Sequence, residues 1–151
     1  MFADSSCGCG KVAEKPIARL AKLLGSTHAS WHAKRQFSVM ASLLCTELAS
    51  LKKVVEEAAE HRCYCRSLGV AITKPATTRE DDVDAVVKIV GPASVLQQKS
   101  ITLSHHFCKD HCVEEVAQIR RGKSKDNLAN GFTKGLDSSD SNNCFLPAMC
   151  S

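Results

Sequence analysis

The residues able to do chemistry fall into three kinds. The acidic ones are Glu47 and the run Glu80, Asp81, Asp82 and Asp84. Carboxylate oxygens are hard donors, and a group of them suits Mg²⁺. The second kind is the cluster His105-His106-x-Cys108-x-x-His111-Cys112. Cys108 and Cys112 stand four apart, so both thiols could face one side of a helix. A zinc site normally takes four ligands from two separated pairs, here this segment with Cys63 and Cys65 or with Cys7 and Cys9. That spacing matches no ribbon or finger. A nucleophilic Cys–His pair has less behind it, because no cysteine carries a flanking signature. The third kind is basic: Lys34, Arg35, Arg120, Arg121, Lys123 and Lys125 could contact phosphates, or form an ordinary solvated surface.

These side chains need elements to position them. Leu44, Leu48, Leu51, Val55, Ala58 and Arg62 recur at three- and four-residue steps, so residues 42–66 should form a long amphipathic helix. Ser42 is the expected N-cap and Gly69 the terminator. Glu47 lies on the edge of the apolar stripe. It is either a boundary glutamate reaching water along its stem or a carboxylate held inward for a metal.

Arg19–Leu24 and His28–Lys34 are strand candidates around the Gly25-Ser26 turn signal. Pro75–Thr78 opens a short segment leading into the acidic run. Val83, Val86, Val87, Ile89 and Val90 favour a strand by β-branching, whereas Asp82 as a cap favours a helix. A further helix is expected over 104–115, capped by Ser104 with Phe107 and Val113 inward. A strand is expected over Val116–Arg120, then a short helix capped by Asp126 that contains Leu128, Ala129, Phe132 and Leu136. Strand and helix alternate in one unit, which implies an α/β layer architecture.

The bulk numbers agree with one domain. The chain has 151 residues, 44% hydrophobic and 24% charged, with a net charge of +4. A mild basic excess is compatible with a polyanionic partner without demanding one. No signal-like apolar run opens the chain, and no stretch reaches the roughly 18 apolar residues of a membrane span. An intracellular protein, cytoplasmic or nuclear and not secreted, is therefore expected. Its nine cysteines are then expected as free thiols.

Six segments, in order, resemble the C-terminal ribonuclease H region of copia-type retrotransposon polyproteins. Phe2-Ala3-Asp4 is similar to the opening strand motif of aromatic, small residue and aspartate. Ser30–Gln36 (SWHAKRQ) resembles S-W-x-[AS]-K-[KR]-Q, and Ser38–Leu51 (SVMASLLCTELASL) resembles a helix motif with Glu47 on its second glutamate. Thr77–Val86 (TTREDDVDAV) resembles a strand-end motif with Asp81 on its aspartate. Lys99–Phe107 (KSITLSHHF) and Ser124–Leu136 (SKDNLANGFTKGL) complete the series.

The resemblance implies a single ribonuclease-H-like domain over residues 1–136, a five-stranded mixed sheet flanked by helices, with 137–151 as a loose tail. It implies hydrolysis of the RNA strand of RNA–DNA hybrids, with four carboxylates holding two Mg²⁺ ions about 4 Å apart. It also implies a polymerase domain upstream in the ancestral polyprotein. Asp4, Glu47 and Asp81 match three of the carboxylates. The fourth falls on Asn130, whose neutral amide offers no charge against a second ion, so catalysis should be impaired. Other motif positions have changed too: Asp4 is followed by Ser5-Ser6-Cys7, Asp82 replaces an asparagine, and Lys99-Ser100-Ile101-Thr102 has lost a His and an Asp. Losses scattered over unrelated motifs suggest decay of a transposon copy. The competing expectations are a non-catalytic nucleic-acid-binding relic and a Cys/His zinc module.

Overall fold

The computed structural model describes residues 1–6, 17–25, 27–35, 43–91, 99–123 and 126–129. Its longest element is the helix that the periodicity predicts, α1 (Leu43–Ser67), 25 residues long. Leu48, Leu51, Val54, Val55 and Ala58 are buried along one stripe. On the solvent side, Lys52 and Lys53 pair with Glu56 and Glu57. Gly69 ends the helix as expected. It takes a φ of +76°, which costs glycine nothing, and its N–H donates to the Arg66 carbonyl at 3.0 Å. The expected cap Ser42 lies outside the described residues. Arg62, on the apolar stripe, is buried with its guanidinium donating to the Lys74 carbonyl. The cation thereby ties down the loop after α1.

Five strands form one mixed sheet: β1 (Phe2–Ser6), β2 (Ile17–Leu24), β3 (Thr27–Arg35), β4 (Ala76–Glu80) and β5 (Ala117–Arg121). Their order is β3-β2-β1-β4-β5. β1, β2 and β3 are antiparallel neighbours, while β4 runs parallel to both β1 and β5. The two strand candidates form most of β2 and β3, joined through Gly25 at a φ of +65°.

The acidic run leads into a helix, α2 (Val83–Val90), and the cap decides it. An Asp82 oxygen accepts the Ala85 N–H at 3.0 Å. Ala85 and Ile89 then reach the core, and Val83, Val87 and Val90 stay exposed. The β-branched run thus serves two faces of one helix instead of a strand.

α3 (Lys99–Val113) begins before the expected cap Ser104, which lies inside it. Nothing between Lys99 and Ser104 breaks a helix, so the turn continues upstream. Phe107 packs against the core as expected, but Val113 is 78% exposed. Cys108 takes the inward position, and five helical steps of about 100° carry Val113 away from it. Residues 126–129 form a short turn in which, among the described residues, the oxygen that accepts the Ala129 N–H, at 3.1 Å, belongs to Asn127, one position after the expected cap Asp126. Phe132, Leu136 and the expected tail 137–151 lie outside the described residues.

The core fills the space between one sheet face and the helices, through Ala3, Leu20, Leu48, Leu51, Val55, Ile89, Cys108 and Ile119. This is the single α/β unit, a five-stranded mixed sheet flanked by helices, that the resemblance implies. Among the described residues no helix is long and apolar enough to cross a membrane.

Candidate carboxylate site and its basic flanks

The end of β4 lies beside the start of the parallel β1, at the register Phe2↔Arg79, and α1 packs on both strands. Side chains alternate along β1. Ala3 belongs to the core and Ser5 faces Glu47 on the α1 side. Asp4 therefore projects to the other side, buried to 7% exposure beside Arg19, its register partner on β2. Burial lowers the Arg19 pKa and the Asp4 charge opposes that shift.

Glu47 is 5% exposed near the start of α1. Burial, first of all, pushes its pKa up to about 8. The Ser5 hydroxyl works against that rise, and the like charges of Asp4, Asp81 and Asp82 add to it. Glu47 Oε2 has no hydrogen-bond partner among the described residues. The inward reading of this glutamate is the one observed: the apolar stripe carries its carboxylate into the interior, against β1.

Asp81 follows β4 directly and is half-buried, with its N–H donating to Glu80 Oε1 at 3.1 Å. Glu80 is fully buried, and its pKa is pushed well above the usual carboxylate range by burial and then by Glu47. The sequence reading gave Glu80 no role. The period of two along β4, with Thr78 and Glu80 buried and Thr77 and Arg79 exposed, is the signal that marks it.

Asp4 and Asp81 thus each lie within electrostatic reach of Glu47 at one end of the sheet. No group of three His, Cys, Asp or Glu side chains among the described residues is already arranged to hold a metal ion. The donor type does suit a hard divalent cation: carboxylate oxygens, one of them without a partner among the described residues, whose mutual repulsion a positive charge would offset. Asn130 lies outside the described residues. The described chain approaches it at Ala129, where Asn127 Nδ2 donates to the Ala3 carbonyl at 2.7 Å, next to Asp4.

The Cys/His cluster is not gathered. A His105 ring nitrogen contacts the Lys88 carbonyl at 2.9 Å, Cys108 is buried in the core, and His111 stacks on Phe107 at 4.2 Å. Cys7 and Cys9 lie outside the described residues.

The basic residues divide between two places that the sequence could not relate. Lys34 and Arg35 close β3, and Arg120 and Arg121 close β5, so they sit on opposite edges of the sheet. The registers Ile17↔Arg35, Ser6↔Ile17 and Glu80↔Arg121 put both groups at the carboxylate end. Lys123 is exposed just beyond β5, and Lys125 lies outside the described residues. The carboxylates are therefore flanked on both sides by cations.

No family model matches this chain. Among curated proteins it aligns with the retrovirus-related Pol polyprotein from transposon RE1 of Arabidopsis thaliana, 28% identical over 116 residues, or 75% of this chain. The chain is similar to a retrotransposon Pol polyprotein. It spans 8% of that polyprotein's length. The similarity points to the same kind of source as the six ordered motifs.

Proposed function

We propose that this chain is a retrotransposon-derived ribonuclease H domain whose two-metal cleavage of RNA–DNA hybrids is impaired, and whose ancestral polyprotein carried a polymerase upstream. The supporting observation is Glu47, drawn from α1 into the interior and coupled to Asp4 on β1 and Asp81 after β4. A buried carboxylate opposed by its neighbours is costly, and a bound cation is the compensation such a cluster invites.

Asp4, Glu47 and Asp81 would hold Mg²⁺. When bound, Mg²⁺ supplies activation of the attacking water and charge stabilisation at the leaving oxygen. Arg19 offsets the Asp4 charge. Lys34 and Arg35 on one side, and Arg120, Arg121 and Lys123 on the other, position the backbone of a hybrid by phosphate contacts. Asn130 supplies an amide where the motif has a carboxylate. Loss of one charged ligand should cost about 10²-fold or more in rate.

The basic flanks also support a second reading, a nucleic-acid-binding relic without catalysis. One experiment tests both: hybrid binding over a salt series, with Mg²⁺-dependent cleavage followed in the same tubes. Binding that weakens steeply with salt, with cleavage slow or nil, supports the impaired nuclease or its relic. Rapid cleavage by the natural chain refutes impairment, and failure to bind hybrid at low salt refutes both readings.

A further inference from the structure

One cross-strand row runs over the sheet face opposite α1. The registers Trp31↔Ala21, Phe2↔Ala21, Phe2↔Arg79 and Arg79↔Arg120 join one residue from each of the five strands. Register partners share a face. The chain neighbours Ala3, Leu20 and Ile119 point into the core, so the row itself lies on the outer face. Trp31 is 60% exposed, and Arg79 and Arg120 are exposed. The Arg79 guanidinium lies over the Phe2 ring, 5.6 Å from its centroid, and so has a fixed support. Ala21, wholly buried, is the small residue between the two rings. At about 4.8 Å per strand the row spans about 19 Å.

The exposed members of the row are one indole and two guanidiniums, with the wholly buried Ala21 methyl and the half-buried Phe2 ring between them. The row itself contains no carboxylate, and Asp4 lies two residues further along β1 on the same face. Single-stranded nucleic acid presents matching groups: base faces that stack on aromatic rings, and phosphates that pair with guanidinium. A duplex keeps its base faces stacked inside. An acidic peptide would satisfy the arginines and leave the indole unused. The length suits the shortest single-strand sites, about 4 nucleotides.

We propose that this row is a platform for single-stranded nucleic acid, with a base stacked on Trp31 and phosphates held by Arg79 and Arg120. It needs neither Mg²⁺ nor the carboxylates, so binding in EDTA reads it apart from cleavage, and Trp31 and Arg79, which the nuclease reading does not use, distinguish it from the hybrid contacts assigned to Arg120.

Trp31 is the only tryptophan in the chain and is its own probe. The full chain is titrated with an eight-nucleotide oligothymidylate in EDTA, following indole fluorescence. Saturable quenching is expected, with affinity falling as salt rises. R79A/R120A should weaken binding about 10-fold or more, whereas R66A, on the exposed end of α1, should leave it unchanged. W31A, read by anisotropy of a labelled oligonucleotide with its fold checked by circular dichroism, should weaken binding likewise. Absence of quenching overturns the proposal. So does equal quenching by a blunt duplex or a poly-glutamate peptide, or equal weakening by R66A.

Discussion

Asn127 and Ala3 are joined by a buried hydrogen bond, side-chain amide to carbonyl at 2.7 Å, across 124 positions of sequence. The same Asn127 side chain accepts the Ala129 N–H at 3.1 Å. Both halves of one amide are thus used to lock the last described turn onto β1, at the residue before Asp4.

Asn127→Ala should therefore destabilise the fold by about 2–3 kcal/mol, because it strands a buried carbonyl and a buried N–H together. Urea unfolding measures this. A loss under about 0.5 kcal/mol would show that the clamp is not structural.

Glu47 sets a pH dependence whose sign is fixed. Its pKa in the folded protein is raised to about 8 from 4.5, chiefly by burial. The stability it contributes is then fully present below pH 4.5 and is lost as pH rises towards 8. Glu80, also raised by burial, adds in the same direction. Thermal unfolding of the natural chain should show stability falling over that window. Glu47→Gln should flatten the fall and gain about 1–3 kcal/mol at pH 8.

Asp82 does two separable things: it caps α2 and it adds charge against Glu47. Asp82→Asn keeps an accepting oxygen and removes the charge, so the fold should become more stable at pH 8. Asp82→Ala loses the cap and should cost about 1 kcal/mol at pH 5, where Glu47 is mostly neutral. Chemical denaturation at the two pH values distinguishes the roles. Equal effects of both variants would contradict this division.

Much of this arrangement was legible in the sequence, for identifiable reasons. α1 has an unambiguous period, and its stripe already placed Glu47 at the apolar edge. The β2–β3 hairpin had its glycine turn. α2 was balanced between propensity and capping until Asp82 settled it. β1 has only Phe2–Ser6 and no period of its own, so the resemblance alone located it. Arg19 and Arg79 acquire meaning only through register, as partners of Asp4 and Phe2 on other strands. No local pattern encodes which strands become neighbours. For the same reason, the basic residues on the two sheet edges read as unrelated clusters until the registers placed the last residues of β3 and β5 towards the same end of the sheet.

Thiol chemistry offers an independent check on the core. Cys63 is exposed, while Cys45 and Cys108 are buried and the Cys108 thiol is pushed up to about 12 by burial. Alkylation of the native chain followed by peptide mass spectrometry should label Cys63 within minutes. Cys45 and Cys108 should react only after denaturant is added. Early labelling of Cys108 would contradict the packing of α3 against α1.

The central claim is that Asp4, Glu47 and Asp81 form the surviving part of a metal-binding nuclease site and that Asn130 is what disables it. Its most direct test is Mg²⁺-dependent cleavage of the RNA strand in an end-labelled hybrid, comparing the natural chain with Asn130→Asp. The account predicts little cleavage by the former and a gain of about 10²-fold or more in the latter, abolished again by adding Glu47→Gln. A folded Asn130→Asp protein that cleaves no faster, or whose cleavage survives Glu47→Gln, would contradict it.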